Sequence, residues 1–323
     1  MSRQPRRTER AQAVRWRLEA AGVLGGIRAL DLLPEPSALM IGAFAGRYGG
    51  RLWRRYRRVA LANMGVAFPD WSAARREKLL AAHLRQLGRT AAEWARLPSL
   101  ARGEFLDRVE FEGLPELASA LSRGRGVLVA SAHYGFWELI LPALRHRLAD
   151  ARFTAVGRAQ RNPHLRALVA ERRRLGDGAE PLPQDAHAVL RTLRGNAVVG
   201  LLADHYLSPR RGGLLSPFLG RRAWTNPGPA TLALHAGSAL LLGRTRPLAR
   251  GRHLVALGPE IAPPNTGDRS RDIAVMTERV NEAIGGWIRE RPEPWLWFHG
   301  RFRGSPDIDR DAYERARRRR GSR

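Results

Sequence analysis

The sequence predicts an α/β protein: a mixed, mostly parallel sheet flanked by helices, preceded by an N-terminal helical segment. Three observations carry this reading. Residues 16–122 are dominated by apolar positions at three- and four-residue spacing, the period of a helix with one buried face. From 123 onward short continuous apolar runs appear, at Val127 to Ala132, Phe153 to Gly157, Ala197 to Ala203, Ser238 to Gly243 and Leu254 to Leu257. Helix-like stretches separate those runs, and continuous rather than alternating apolar strands belong to sheets covered on both faces.

Taken in chain order, residues 1–20 are a charge-rich basic tail. Residues 21–122 form the helical segment, with Leu80, His83, Leu84, Leu87 and Ala91 as a helical stripe and Asp70-Trp71-Ser72 as capping residues. Within it, residues 51–58 read RLWRRYRR. On a helix Leu52, Trp53, Tyr56, Val59 and Ala60 share one side and arginines crowd the other. Such a helix suits anionic lipid headgroups, and it equally suits an ordinary core-facing helix with a charged outer face. Residues 123–305 form the α/β core, opened by a turn at Arg123-Gly-Arg-Gly126. Residues 306–323 are a second basic tail carrying four consecutive arginines at 317–320.

Composition narrows the partners. The 323 residues carry 56 basic and 30 acidic side chains, a net charge of +26, and Lys78 is the only lysine. An excess of that size favours an acidic partner: nucleic acid, an anionic membrane surface or a phosphorylated substrate. The absence of cysteine excludes disulfides, thiolate metal sites and a cysteine nucleophile. No run reaches the ~18 apolar residues that span a bilayer, and no secretory signal is visible, so membrane contact is expected to be interfacial.

Ligands of open α/β sheets bind beyond the carboxyl ends of the strands. The residues expected there are His133, Arg158, Asp204 and Arg244. The sharpest element is the His-x4-Glu pair His133 and Glu138, which no other of the nine histidines matches. If helix starts just after His133, Glu138 lies about one turn in and can reach back to one imidazole nitrogen. The other nitrogen then takes a proton from an acceptor hydroxyl. A structural histidine bonded to a helix acid is the alternative. No Gly-x-Ser-x-Gly elbow, His-Glu-x-x-His or phosphate loop is present. Ser131 beside His133 leaves a serine hydrolase open, and His133, Asp204 and His205 are of metal-ligating type, although no metal is assigned.

The stretch Gly124 to Glu138 (GRGVLVASAHYGFWE) resembles the His-x4-Glu block of the lipid A biosynthesis (lauroyl/myristoyl) acyltransferase family, within the lysophospholipid acyltransferase superfamily. Arg57 to Asp70 (RRVALANMGVAFPD) is similar to an upstream block, and Gly157-Arg158 with Arg161-Asn162-Pro163 to a second. Gly200 to Asp204, Pro217 to Gly220 and Gly228 to Ala230 resemble a third, and Trp297 to Arg303 (WFHGRFR) the closing motif. The set spans about residues 50–303. This chain departs from the family in having His205 after Asp204, Leu219 between Phe218 and Gly220, and Phe136 where asparagine is frequent.

The resemblance implies a glycerolipid acyltransferase-like fold. It also implies O-acyl transfer from an acyl carrier protein or coenzyme A thioester to a hydroxyl of a lipid A-type glycolipid precursor. Mannosylated phosphatidylinositol or a lysophospholipid are alternative acceptors. It makes His133 the general base and Glu138 its partner, and assigns Arg158, Asn162, Asp204, Phe218, Gly220, Arg244 and Arg301 to substrate binding. No cofactor beyond the acyl donor is expected. The location implied is the cytoplasmic face of the bacterial inner membrane, peripheral or monotopic. A non-catalytic polyanion binder is the competing class on charge alone; nucleic acid is not the partner adopted.

Overall fold

In the computed structural model, residues 7–101, 105–157, 160–173, 182–248 and 251–318 are described. The chain opens with four helices: α1 (Arg7–Asp31), α2 (Glu35–Gly49), α3 (Arg54–Ala67) and α4 (Ala73–Ala101). Residues 7–20, assigned by charge to a tail, are therefore the first half of α1. Helices α2 and α4 pack with their backbones nearly touching. A Cβ on Gly88 would lie 2.0 Å from the Gly42 carbonyl oxygen, so only glycine permits this approach.

Strand β1 (Val109–Glu112) and helix α5 (Leu114–Ser122) follow, then β2 (Val127–Ser131), α6 (Ile140–Arg147), β3 (Phe153–Ala155), α7 (Pro163–Arg173), α8 (Ala186–Arg194) and β4 (Val198–Leu202). A hairpin, β5 (Leu214–Phe218) and β6 (Arg221–Thr225), precedes α9 (Gly228–Ala236), β7 (Ala239–Pro247), β8 (His253–Leu257), α10 (Arg269–Glu290) and α11 (Arg310–Arg318). The six-stranded sheet has the order β1-β8-β7-β2-β4-β3. Strand β2 pairs parallel with β4 and β7, β3 with β4, and β1 with β8; β7 and β8 are antiparallel.

The five apolar runs are thus five of the six strands, and the sheet is mixed and mostly parallel as the sequence predicts. Strand β1 lies inside the segment read as helical; its alternating Val-Glu-Phe-Glu belongs at the sheet edge, half covered. The β5–β6 hairpin has no continuous apolar run to mark it. Its turn residues Leu219 and Gly220 both have positive φ (52° and 79°), as a tight two-residue hairpin requires.

Strand β2 is buried at all five positions. Leu128 and Ala130 join a core with α9, α10 and the closing tryptophans Trp295 and Trp297. Val127 and Val129 point the other way, into a core with α5 and α6. The period-two alternation of a strand thereby builds a sheet covered on both faces. The C-terminal segment read as a tail instead docks α11 on α3, with the Tyr313 hydroxyl donating to Asn63 Oδ1 at 2.6 Å.

Candidate active site

Strand register brings the central pair together. Strands β2 and β4 are parallel neighbours with Ser131 opposite Leu202, so His133 and Asp204 each stand two residues beyond the end of their strand. The pairing continues past the strands, where the Ala203 N–H donates to the Ser131 carbonyl at 2.7 Å. Adjacent strands lie about 4.8 Å apart, within side-chain hydrogen-bonding reach.

The Asp204 carboxylate uses both oxygens. Oδ1 accepts from His133 Nδ1 at 2.9 Å, and Oδ2 accepts from the His133 backbone N–H at 3.0 Å and from Trp295 Nε1 at 2.9 Å. Asp204 is fully buried. Burial pushes its carboxyl group up. The positive charge and hydrogen bond of His133, with smaller contributions from His299 and His205, outweigh that, and the net direction is downward. The group is therefore a carboxylate that fixes the imidazole with Nδ1 protonated, leaving proton uptake to Nε2.

The chain leaves β2 through a sharp turn. Gly135 has φ +62°, and a Cβ there would stand 2.8 Å from Thr245 Oγ1. Glu138 follows in a single 3-10 turn, Trp137–Leu139. Asp204, not Glu138, sits on Nδ1, because the residues after His133 form a turn before any helix begins. Ser131 Oγ donates to the Ala132 carbonyl at 3.4 Å, a contact that gives it no activated oxygen.

A strap from the C-terminal region closes over this pair. The Leu296 N–H donates to the His133 carbonyl at 2.9 Å, and the Gly135 N–H to the Pro294 carbonyl at 3.1 Å. His299 Nε2 donates to the Asp204 backbone carbonyl at 3.0 Å. Asn63, on α3, in turn holds the strap: its Nδ2 donates to the Trp297 carbonyl at 2.8 Å and to that of His299 at 2.6 Å. The imidazoles of His133 and His205 meet edge-on with centroids 4.7 Å apart, and those of His205 and His299 lie 5.1 Å apart. Burial lowers His299 to about 4 and lowers His205, in each case against an upward pull from Asp204.

His133, Asp204 and His205 place one ligand atom each within 4.8 Å of one another, a spacing a metal ion could bridge. Both Asp204 oxygens already accept from N–H donors, so an ion there would have to displace the Nδ1 hydrogen bond.

The other expected site residues divide. Arg158 lies outside the described residues. Arg244 is within β7 rather than at its end, since the strand continues to Pro247, and it pairs with Glu290 Oε2 at 2.8 Å. Asn162 is buried where α1 meets α7, donating to the Trp16 carbonyl at 3.0 Å. Phe218 and Arg301 are fully buried. The Arg301 guanidinium stands 4.2 Å over the Phe218 ring and donates to the Trp224 carbonyl and Thr225 Oγ1, both at 2.8 Å, and to Asn281 Oδ1 at 3.1 Å. Gly220 turns the hairpin these residues hold. Phe218 packs against Trp295, ring centroids 5.7 Å apart, and Arg301 ties the hairpin to α10. The sequence assigns no site role to Asn63, Trp295 or His299, although Asn63 and His299 lie inside the family-like segments 57–70 and 297–303.

The family model of the bacterial lipid A biosynthesis acyltransferases matches residues 6–304. The lipid A biosynthesis lauroyltransferase of Escherichia coli (strain K12) is 24% identical over 277 residues, 85% of this chain and 88% of that protein. The phosphatidylinositol mannoside acyltransferase of Mycobacterium tuberculosis (strain ATCC 25618 / H37Rv) is 29% identical over 328 residues, 98% of this chain and 97% of that protein. The lipid A biosynthesis myristoyltransferase of E. coli K12 is 23% identical over 265 residues, 78% and 77% of the two chains. A match over nearly the whole chain, with an oriented imidazole at the carboxyl end of its central strands, makes this protein an acyltransferase and a member of the bacterial lipid A biosynthesis acyltransferase family.

Proposed function

We propose that the protein transfers a fatty acyl chain from a carrier-protein or coenzyme A thioester to a hydroxyl of a phosphorylated membrane glycolipid. The observation that carries this is the Asp204–His133 pair, in which a buried carboxylate holds Nδ1 and orients Nε2 as a base. Nε2 takes the acceptor's hydroxyl proton as the oxygen attacks the thioester carbonyl. An O–C bond forms, the C–S bond breaks, and the imidazolium returns the proton to the departing thiolate. The carboxylate stabilises the imidazolium between the two steps. Arg158 and the charge of the site are assigned to the oxyanion and the donor's phosphates. Glu138 is assigned to the same site, supporting the substrate-binding side of His133.

The acceptor is proposed to be of lipid A type, in line with the family and its lauroyl- and myristoyltransferase relatives. A mannosylated phosphatidylinositol is the second reading, favoured by the 98% coverage of the mycobacterial relative. Both acceptors are phosphorylated glycolipids.

Association with the surface of the inner membrane is supported by the N-terminal helices. Among the described residues no helix is long and apolar enough to cross a membrane. Phe44, Leu52 and Trp53 are nonetheless 65%, 82% and 54% exposed, beside the exposed Arg54 and Arg55. Val59 and Ala60, expected on the same side as Trp53, are buried instead, because α3 starts afresh at Arg54 after a 3-10 turn. Exposed aromatic residues ringed by arginine suit an anionic interface.

The test is acyl transfer in mixed micelles with dodecanoyl-CoA or the dodecanoyl carrier protein as donor. A lipid A precursor and a phosphatidylinositol mannoside are compared as acceptors, and products are weighed by mass spectrometry. Wild-type protein adds one acyl mass to one acceptor and His133→Ala adds none; full activity of His133→Ala overturns the mechanism.

A further inference from the structure

The buried amide of Asn162 ties α1 to the start of α7. It is 5% exposed, and its polar atoms are spent inside the protein: Nδ2 donates to the Trp16 carbonyl at 3.0 Å and to Glu19 Oε2 at 3.2 Å, and Oδ1 accepts from the His164 N–H at 3.0 Å. This side chain fixes α1 across the start of α7, and an open cleft of about 690 Å³ lies along the junction. Its walls carry Gln12, Arg15, Trp16, Glu19, Gln160 and Arg161. The volume falls in the range of small-molecule sites, about 300–1,000 Å³.

The chemistry of the walls is specific. Glu19 is their one acid, and it already accepts from Asn162. Among the described residues no acid or carbonyl neutralises Arg15 or Arg161, whose side chains are exposed. Two open guanidiniums suit a phosphate, two glutamine amides offer donors and acceptors to hydroxyls, and an indole offers a flat apolar surface to a sugar ring.

Placement ties the cleft to the reaction. Residues 160–162 follow β3, which pairs with β4, which pairs with β2. The chain that leads into the cleft therefore leaves the sheet at the same carboxyl edge as His133, from a strand two places, about 10 Å, away from β2. On α1 the cleft residues Gln12, Trp16 and Glu19 share one face. Val14 and Leu18, 57% and 69% exposed, lie roughly opposite on the helical wheel. The helix thus presents apolar side chains away from the cleft, as a helix lying in a bilayer interface does.

We propose that the α1–α7 cleft binds the phosphorylated sugar headgroup of the acceptor, so that its hydroxyl reaches His133 while its acyl chains stay in the membrane. This rests on the phosphorylated glycolipid reading above, and binding is measured apart from catalysis so that the two can fail separately. The full-length protein is titrated with glucosamine 1-phosphate, glucosamine and inorganic phosphate by saturation-transfer NMR and calorimetry. Wild type binds the sugar phosphate more tightly than either fragment. Arg15→Gln/Arg161→Gln, whose side chains are exposed, loses about tenfold or more of that affinity, the scale of two charge-assisted phosphate contacts. Trp16→Ala weakens the sugar contribution and leaves inorganic phosphate binding in place. With micellar acceptors, the double variant raises KM for the phosphorylated glycolipid and not for its dephosphorylated counterpart. Inorganic phosphate binding as tightly as the sugar phosphate, or equal KM changes for both acceptors, overturns the proposal. An active His133→Ala with sugar phosphate binding intact would instead refute the base and leave the cleft standing.

Discussion

Asp204 holds His133 twice, once at the ring and once at the backbone: Oδ1 accepts from Nδ1 at 2.9 Å and Oδ2 from the main-chain N–H at 3.0 Å. The double contact sets both the rotation of the imidazole and the path of the chain that carries it. Trp295 supplies a third donor to the same carboxylate from the far end of the sequence. A carboxylate so fully engaged is ionised and holds the imidazole in one tautomer and one orientation.

Asp204→Asn is expected to reduce kcat by about 10²–10⁴, the upper end being the scale seen when the relay aspartate of a Ser-His-Asp triad is amidated. The amide keeps one acceptor but presents an NH₂ group to N–H donors, favouring the wrong imidazole tautomer. KM for the thioester is expected to move little. Glu138→Gln leaves the Nδ1 contact intact and is expected to cost less. Steady-state kinetics of the two variants side by side check the order, and the reverse order would transfer the relay role to Glu138.

Arg301→Lys is expected to act on stability rather than on substrate affinity. The guanidinium serves Trp224, Thr225 and Asn281 at once and lies over Phe218, and an ammonium cannot span that set. Leaving buried acceptors unpaired costs about 1–3 kcal/mol each, so a loss of about 2–4 kcal/mol is expected after partial compensation by the lysine. Urea unfolding measures it. A normal midpoint with a raised acceptor KM would return Arg301 to the substrate-binding set.

Acid should weaken the fold through His83. This side chain is 2% exposed, donates from Nδ1 to the Glu293 carbonyl at 3.0 Å, and buries an Nε2 with no partner among the described residues. Burial lowers it to about 4, against a smaller upward pull from that hydrogen bond. The unfolded chain therefore binds a proton below pH ~6.5 that the native state refuses until about pH 4. Stability falls with pH across that window, by on the order of 3 kcal/mol from this group. Tm measured from pH 7 to pH 4 should decline, and His83→Gln should flatten the decline. An unchanged slope in the variant would exclude His83 as its source.

Phe44→Asp with Trp53→Asp is expected to release the protein from anionic vesicles. Both side chains are more than half exposed, and a carboxylate at each removes apolar contact and adds repulsion. Co-sedimentation with phosphatidylglycerol vesicles should fall at least tenfold for the pair, about 1.4 kcal/mol or more. Retained binding would move the membrane face elsewhere on the surface.

Much of the fold and of the site is legible in the sequence. Continuous apolar runs located five of the six sheet strands, because a strand buried on both faces must be apolar throughout. His133 and Asp204 were both placed at strand ends by the same reasoning. Strand β1 and the hairpin were not legible, since a four-residue alternating edge strand and a two-residue turn through Leu219 carry weak local signals. Phe218 and Arg301 belong to recognisable blocks, but their burial and the internal hydrogen bonds of the guanidinium depend on residues from distant parts of the chain.

The sequence by itself determined the five apolar strands of the sheet, the strand-end positions of His133 and Asp204 and the family the chain resembles, because periodicity and motif spacing are local properties of the chain. Only the tertiary structure decided the partner of His133. A carboxylate 71 positions away reaches Nδ1 because β2 and β4 are parallel neighbours in one particular register, while Glu138, five positions away, follows the sharp turn at Gly135 in a 3-10 turn rather than a helix. Strand register and the strap from Pro294 to His299 are set by contacts between distant segments, which no window of sequence contains.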